Sequence, residues 1–197
     1  MKNFYTSIFP QKHLFGFTLI ELLTTLAVAG LLATTAVPAL SDFSARERRA
    51  AAINSLISSI RFTRSTALKT QRVTTLCPTN DGENCRRNWN LPLMIFVDVN
   101  NDRKRQINEP IYKNIDAINS QDRLMWKAFR NSNSLQFLPT GITNHQNGTF
   151  LYCPKVSRND LAKGIIMTKM GRTRLSVDSN QDGVQEGAGG RKLYCTE

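Results

Sequence analysis

The hydrophobic pattern of the chain begins with two segments that both indicate a helix. Residues 17–40 form an almost continuous apolar run, and about 20 such residues are enough to cross the hydrocarbon core of a bilayer as a helix. Residues 41–70 are amphipathic instead. Four of their large apolar residues follow the helical spacing i, i+3, i+4 and i+7: Ile53, Leu56, Ile57 and Ile60. Because this spacing places them on one face, the sequence predicts one long helix whose second half packs against another part of the protein.

Beyond residue 70 the pattern changes to that of β-strands. Short runs of branched and aromatic residues are separated by turn signals such as Asn80-Asp81-Gly82 and Asn147-Gly148. The runs that predict strands are Val73–Cys77, Leu93–Val99, Ile111–Ile115, Leu135–Leu138, Thr149–Cys153, Ile165–Thr168 and Leu175–Val177. Such strands have to cover the apolar stripe of the helix. The expected fold class is therefore α+β, with a long N-terminal helix packed on an antiparallel β-sheet head that comprises residues 71–197.

The start of the apolar run carries a charge in an unusual place. Glu21 follows Gly16-Phe17-Thr18-Leu19-Ile20, and a short segment with Lys2 and Lys12 precedes that string. A charged side chain in a lipid-facing helix costs about 2.5–3.5 kcal/mol or more, so Glu21 is a candidate functional residue. One interpretation of this N-terminus is a secretory signal that is cleaved near Ala36–Ala39. The other is a cleavage between Gly16 and Phe17 that keeps the apolar helix in the mature protein.

The second interpretation rests on a resemblance. The string Gly-Phe-Thr-Leu-Ile-Glu, with a basic leader before it and a spanning helix after it, resembles the type IV prepilin signature. The resemblance implies a type IV pilin-like fold and a leader of residues 1–16, which a prepilin peptidase removes between Gly16 and Phe17. It also implies that the new N-terminus of Phe17 is methylated. The helix then divides into a transmembrane half, residues 17–40, and an amphipathic half, residues 41–70.

The same resemblance gives Glu21 a role in assembly. In this family the matching glutamate neutralises the N-terminus of a neighbouring subunit as the filament forms, which is a buried ion pair. The alternative is that Glu21 is simply the solvated end of a helix. The expected location is the bacterial inner membrane, with the head in the periplasm, and then the cell surface in the pilus.

The charge of the chain favours anionic partners. It has 26 basic and 15 acidic residues, and without the two lysines of the leader the net charge is +9. Such an excess favours nucleic acid or lipid headgroups as partners. Arg46, Arg48 and Arg49 lie in the middle of the predicted helix, where we expect them to be solvated; the alternative is contact with the membrane surface or a neighbour.

The four cysteines all lie in the strand-rich part of the chain: Cys77, Cys85, Cys153 and Cys195. Three disulfide pairings are possible, of which we favour Cys77 with Cys85 and Cys153 with Cys195. A zinc site is less favoured because no CxxC-type spacing is present and the chain has 2 histidines. A head outside the cytoplasmic membrane is in a compartment where disulfides form and persist.

Two acidic loops match the beginning of a calcium-loop template. The first supplies Asp98, Asn100, Asp102 and Glu109 at positions 1, 3, 5 and 12, but Arg103 occupies the position that needs glycine. The second supplies Asp178, Asn180, Asp182 and Gly183, but its twelfth residue is Gly189. Tight Asx turns explain both loops, so we expect no metal and no cofactor; the second loop is the better candidate for calcium.

Basic residues concentrate towards the C-terminus. They are Lys155, Arg158, Lys163, Lys169, Arg172 and Arg174, followed by Arg191 and Lys192. Within this region, Gly171 precedes Arg172 and Arg174 in a Gly-Arg-Thr-Arg string. Glycine permits a tight turn or the close approach of another backbone. Arginines two residues apart project to the same side of an extended segment, where both can bind adjacent phosphates.

In a chain with a prepilin signature, this string resembles the GRxR element of FimT-like minor pilins in the GspH/FimT family. Members of that group are linked to DNA capture in natural transformation. The resemblance implies a minor pilin that binds double-stranded DNA without sequence specificity, mainly through Arg172 and Arg174. The supporting residues would be Lys163, Lys169, Arg191 and Lys192. The alternative is a basic hairpin that merely keeps the head soluble.

Two functions therefore follow from the sequence. The first is a DNA-binding minor pilin for DNA uptake, whose partners are double-stranded DNA, other pilin subunits, the prepilin peptidase and, before assembly, the inner membrane. The second is a structural minor pilin or type II secretion pseudopilin that acts in filament assembly only. We expect no enzyme, because the sequence shows no nucleophile–base pair, no ligand cluster and no phosphate-binding loop.

Overall fold

The computed structural model of the protein describes residues 16–130, 132–154 and 159–195. The elements are α1 (Leu19–Thr70), β1 (Thr74–Pro78), β2 (Leu93–Val97), β3 (Ile111–Ile115), β4 (Asp122–Ala128), β5 (Leu135–Phe137), β6 (Gly148–Pro154), β7 (Lys163–Met167) and β8 (Thr173–Leu175). Two short 3₁₀-helices cover Asn159–Leu161 and Ala188–Gly190. Most of the predicted leader lies outside the described residues, as do Lys155 and Arg158. The chain forms two compact units, which divide after Phe43.

The first unit contains the apolar beginning of α1. Thr18 caps this helix, because its Oγ1 accepts a hydrogen bond from the backbone N–H of Glu21 at 3.2 Å. Hydroxyl groups in and next to the apolar segment each donate a hydrogen bond to the backbone carbonyl three residues earlier. Their hydrogen-bonding needs are therefore met within the helix itself. These donors are Thr24, Thr25, Thr34, Thr35 and Ser41. Among the described residues, α1 is the helix whose length and apolar composition suffice to cross a membrane.

The second unit contains two four-stranded antiparallel sheets. The first sheet has the order β3-β2-β1-β5, and the second has the order β4-β6-β7-β8. The sequence predicts a single sheet, so the division into two is a finding of the structure. The C-terminal part of α1 packs on both, through a core that includes Ile53, Leu56 and Ile60 from the helix.

Strands β1, β2, β6 and β7 are largely buried on both faces because each sheet has a second cover. On the first sheet, Cys77, Met94 and Phe96 face away from the main core and pack with Cys85. On the second sheet, Leu151 and Cys153 face outwards and pack with Ala162, Leu193 and Cys195. The outer face of the second sheet is thus partly covered by the C-terminal segment, which the Cys153–Cys195 disulfide holds in place.

The disulfide pairing predicted from the sequence is confirmed. Cys77 is bonded to Cys85, and Cys153 is bonded to Cys195. The apolar stripe of the helix is also confirmed, since Ile53, Leu56 and Ile60 are buried and Ile57 is half-buried.

Two sequence-based expectations are corrected. The sequence does not predict strand β4, because Arg123 and Lys127 occupy its outward positions and leave no continuous apolar run. Arg48 is not simply solvated either: its Nε lies 3.4 Å from Oδ2 of Asp122, whose side chain is only 2% exposed. The helix therefore contributes an ion pair to the head as well as its apolar stripe.

Candidate nucleic-acid interface

The Gly-Arg-Thr-Arg string forms the turn between β7 and β8 and the beginning of β8. The N–H of Gly171 donates to the carbonyl of Thr168 at 2.9 Å, and the N–H of Thr168 donates to the carbonyl of Arg172 at 3.0 Å. These two bonds close the hairpin. The string is therefore part of an ordered turn whose second half is already strand.

Gly171 is required in this turn for two independent reasons. Its φ is +73°, in the left-handed region that favours glycine. A Cβ at this position would lie 2.8 Å from the carbonyl oxygen of Gly141 and 2.8 Å from the ring of Phe137. The turn thus packs directly on the end of the first sheet, and this contact fixes the direction in which the hairpin points.

The two arginines of the string are exposed and lie on the same side of the hairpin. Arg174 is opposite Ile166 in β7, and Arg172 precedes it by two residues, so both side chains project from the outer face of the second sheet. Together with Thr168 and Thr173 they line a shallow depression of about 190 Å³. Within the described part of the chain, neither guanidinium has a hydrogen-bond or ion-pair partner. Both can therefore bind an external anion.

Lys169 lies in the same turn, whereas Lys163 does not belong to this surface. Lys169 is exposed and lies two residues before Gly171, the first residue of the Gly-Arg-Thr-Arg string. Lys163 is the first residue of β7, four residues from its end and therefore about 13 Å from the turn. Lys163 and Ile165 are two residues apart in β7, so the Cβ of Lys163 lies on the core-facing side together with Ile165. Ile166 and its partner Arg174 lie on the other side.

The environment of Lys163 is also unlike that of a free surface cation. Its Nζ donates to Oε1 of Gln185 at 2.8 Å. Burial, and secondarily the nearby charge of Arg49, lowers the pKa of the Lys163 ammonium. The structure therefore does not bring Lys163 together with Arg172 and Arg174.

Arg191 and Lys192 lie in a C-terminal segment that continues the same edge of the second sheet. Val177, just beyond β8, forms an antiparallel bridge with Glu186, which in turn bridges to Lys192. Both basic residues are exposed. The ammonium of Lys192 forms a salt bridge with Oδ2 of Asp182, and this contact raises the pKa of Lys192 and lowers that of Asp182. Lys192 is thus already paired, whereas Arg191 forms no such salt bridge with the residues that the structure describes.

Residues 52–183, more than half of the chain, match the family described as Type II transport protein GspH. The chain belongs to the GspH family. The family is structural rather than enzymatic, and membership implies association with other pilin subunits. The apolar beginning of α1 fits membrane anchoring, as expected for a type IV minor pilin or pseudopilin.

Two solved structures resemble the fold of this chain. The chain resembles the type IV minor pilin FimU of Pseudomonas aeruginosa strain PAO1, with a TM-score of 0.54 and 19% identity over 70% of this chain and 94% of that one. It also matches the minor pseudopilin EpsH from the Type 2 Secretion System of Vibrio cholerae, with a TM-score of 0.49 and 12% identity over 67% of this chain and 98% of that one. A comparison with curated protein sequences finds no match. The likeness to FimU supports the pilin-like fold.

The two acidic loops of this GspH-family head share one backbone arrangement. In the first, Oδ1 of Asp98 accepts from the N–H of Asp102 and its Oδ2 accepts from the N–H of Arg103. In the second, Asp178 accepts in the same way from Asp182 and Gly183. Arg103 adopts the positive φ that Gly183 adopts in the other loop, +65° against +83°. The structure therefore forms the Asx-type turns that the sequence indicates.

The first acidic loop is anchored in the head rather than open to solvent. Asp98 is fully buried, and its Oδ2 also accepts from Thr75 Oγ1 at 2.9 Å and from Gln136 Nε2 at 2.7 Å. Glu109 is buried as well and accepts from the N–H groups of Val99 and Gln106. The hydrogen bonds of these carboxylates explain why the loop has this sequence without reference to a ligand.

The second acidic loop contains a third carboxylate that the template missed. Oxygens of Asp178, Asp182 and Glu186 lie within 4.8 Å of one another. Glu186 is the ninth residue from Asp178, so a search for a twelfth-position ligand does not find it. The ammonium of Lys192 contacts Asp182 and supplies positive charge to this cluster from within the chain.

The residues predicted for processing and assembly lie at the beginning of α1. Gly16 and Phe17 precede the helix, and the Phe17 side chain is 87% exposed. Glu21 is in the first turn, three residues after the capping Thr18, which is the spacing of a capping box. A carboxylate here is also favourable for the helix dipole. Sequence reasoning missed this local role, although the Thr-x-x-Glu spacing indicates it.

Proposed function

We propose that the protein is a minor type IV pilin that binds double-stranded DNA through the β7–β8 hairpin during DNA uptake in natural transformation. The observation that carries this proposal is the pair Arg172 and Arg174. Both are exposed, both lack an internal partner among the described residues, and both line one depression on a turn that Gly171 holds in place. A rigid turn that presents two free guanidiniums is suited to adjacent phosphate groups.

Such contacts bind DNA without reading its sequence. Phosphate contacts supply affinity that depends on salt, whereas sequence is read at the base edges in the grooves. The net charge of +9 expected after loss of the leader adds a general attraction for polyanions. One head can neutralise only a few phosphates, so useful affinity would come from several copies in a filament.

The proposed interface differs in one residue from the set implied by the sequence. It comprises Arg172 and Arg174 at its centre, with Lys169 beside them and with Arg191 and Lys192 on the neighbouring C-terminal segment. Lys163 is left out because it lies at the far end of β7 with its Cβ on the core-facing side of the sheet.

For the N-terminal part we propose the processing that the prepilin signature implies. The prepilin peptidase cleaves between Gly16 and Phe17, Phe17 becomes N-methylated, and Glu21 pairs with the N-terminus of a neighbouring subunit. Before assembly the subunit spans the inner membrane with its head in the periplasm. Two disulfides in the head support an oxidising compartment. We assign no catalytic step and no cofactor to the protein.

A binding assay with matched variants tests the proposal. The full chain in non-ionic detergent is titrated with a mixed-sequence DNA duplex at low salt. The Arg172→Gln/Arg174→Gln variant should lose most of the binding. The control Arg46→Gln/Arg87→Gln removes the same charge from two exposed arginines in α1 and in the loop after β1, and should retain most of it. Equal losses in both variants would show that only net charge matters and would contradict a localised site.

The second candidate is a structural minor pilin or pseudopilin that acts in assembly only. The description of the matching family, a type II transport protein, favours it. In that case the wild-type chain would not bind duplex even at low salt, while Glu21 would still be needed for incorporation into filaments. The two functions are compatible, because a DNA-binding pilin must also assemble.

A further inference from the structure

The end of the second sheet that carries the hairpin also carries an exposed aromatic ring. Phe129 directly follows β4 and its side chain is 58% exposed. Its N–H donates to the carbonyl of Asn147 at 2.9 Å, so the β4–β6 ladder continues by one residue and holds Phe129 in strand register. The guanidinium of the next residue, Arg130, lies 5.7 Å from the centroid of the ring. An exposed ring beside a cation suits a partner that is both planar and anionic, such as a nucleotide.

The strand register places this ring in the same row as Arg172. Ala128, Gly148, Met167 and Thr173 are successive partners across the four strands. One residue further along, the corresponding row is therefore Phe129, Asn147, Thr168 and Arg172. Hydrogen bonds at both ends of this row, from Phe129 to Asn147 and from Thr168 to Arg172, confirm its alignment.

The register also places the ring on the same face as the arginines. Met167 is in the main core, so the row that contains it faces inwards and the rows on either side of it face outwards. Phe129 and Arg172 belong to one outward row, and Lys127 and Arg174 belong to the other. Three strand spacings of about 4.8 Å separate the two edges, a span of about 14 Å. Along the outermost row Thr168 is exposed and Asn147 is half-exposed, so the path between the edges is open.

We propose that the surface between Phe129 and the hairpin binds single-stranded DNA. Phe129 stacks on an unpaired base, and Arg172 and Arg174 bind the phosphates. The inference rests on the proposed function, since it uses the same arginines. A span of about 14 Å corresponds to about four nucleotides of a stacked strand, which is the short end of the site sizes of single-strand binding modules. Lys127 and Arg130 supply further positive charge at the edge where the base stacks. In a duplex the bases are already stacked on one another, so Phe129 contributes only where a base is unpaired.

The test compares a single strand of about 16 nucleotides with the duplex made from it, each titrated into the full chain in non-ionic detergent. Phe129→Ala should weaken binding of the single strand about tenfold, or about 1.4 kcal/mol, and leave binding of the duplex unchanged. Phe129→Tyr should restore the single-strand affinity because it restores the ring, whereas Phe129→Leu should not. Met170→Ala is the matched control, since Met170 is a similarly exposed apolar residue, at 62%, in the hairpin turn.

The outcomes separate this inference from the proposed function. If Phe129→Ala leaves single-strand binding unchanged, or weakens strand and duplex equally, the stacking inference is wrong while the arginine site can stand. If the wild-type chain binds neither nucleic acid, the proposed function itself is wrong. Binding to anionic phosphatidylglycerol vesicles that depends on Phe129, with no such dependence for the single strand, would assign the ring to a lipid surface and overturn the inference.

Discussion

Arg64 of α1 contacts the turn that presents the two exposed arginines: its Nη1 lies 3.5 Å from the carbonyl oxygen of Gly171 and donates to it. The amphipathic half of the helix therefore supports the hairpin as well as the core. A second contact comes from the loop after β5, where the N–H of Thr143 donates to the carbonyl of Lys169 at 2.9 Å. The proposed interface is thus a turn fixed from two sides.

The first prediction concerns the glycine of this turn. Gly171→Ala should lower the free energy of unfolding by about 1–3 kcal/mol, because it adds strain at a positive φ and a clash with Gly141 and Phe137. Urea unfolding measures the change. Gly183→Ala is the matched control, since Gly183 has a φ of +83° but no atom within 4 Å of an added Cβ. Equal losses for both substitutions would show that the close packing of the turn is unimportant.

The second prediction concerns the disulfide that holds the C-terminal segment. The bridge between Cys153 and Cys195 closes 42 residues, and its loss should reduce the free energy of unfolding by about 3–4 kcal/mol in the loop-entropy view. The bridge between Cys77 and Cys85 closes only 8 residues, so its loss should cost less. Denaturation of the two double-serine variants checks the order. The reverse order would mean that native packing rather than chain entropy sets the effect.

The third prediction concerns the pairing of Lys192 with Asp182. The ammonium of Lys192 lowers the pKa of Asp182, so the carboxylate is ionised and paired at neutral pH, and the pair is lost only as the pH falls through that lowered pKa. Asp182→Asn should release Lys192 and strengthen duplex binding. One more phosphate contact should add about 0.9 to the slope of log affinity against log salt concentration. The added Lys192→Gln substitution should cancel this gain. If the gain persists, Lys192 is not part of the interface.

The fourth prediction concerns Glu21 and distinguishes its charge from its local role in the helix. Glu21→Ala should block incorporation into filaments while leaving duplex binding by the chain unchanged. Glu21→Gln keeps the spacing of the capping box and removes only the charge. The measurement is the amount of each variant subunit in filaments sheared from cells, compared with the wild type. Normal incorporation of the Gln variant would show that an ion pair with the neighbouring N-terminus is not required.

Features that depend on short stretches of sequence could be predicted. The helix follows from the 3.6-residue period of Ile53, Leu56 and Ile60, and all three are buried. The sequence indicates that Gly171 permits a tight turn or a close approach, and the structure has both, in its positive φ and in its closeness to Gly141 and Phe137. Both depend on local geometry that the residue types themselves determine.

Features that depend on the pairing of distant strands could not be predicted. The sequence places Lys163 in the same basic region as Arg174, yet alternation within β7 puts the two on different sides of the sheet. Phe129 lies 43 residues before Arg172 in the chain, and only the register of four strands places them in one row. Strand β4 itself was missed, so no pattern in the sequence pointed to this partner.

The central claim is that Arg172 and Arg174 contact DNA phosphates, and the salt dependence of duplex binding tests it most directly. Each phosphate contact contributes about 0.9 to the slope of log affinity against log salt. The Arg172→Gln/Arg174→Gln variant should therefore have a slope smaller than that of the wild type by about 1.8. Arg172→Lys/Arg174→Lys should keep most of the slope, because the charges remain. A glutamine variant that binds with the wild-type slope would contradict the account.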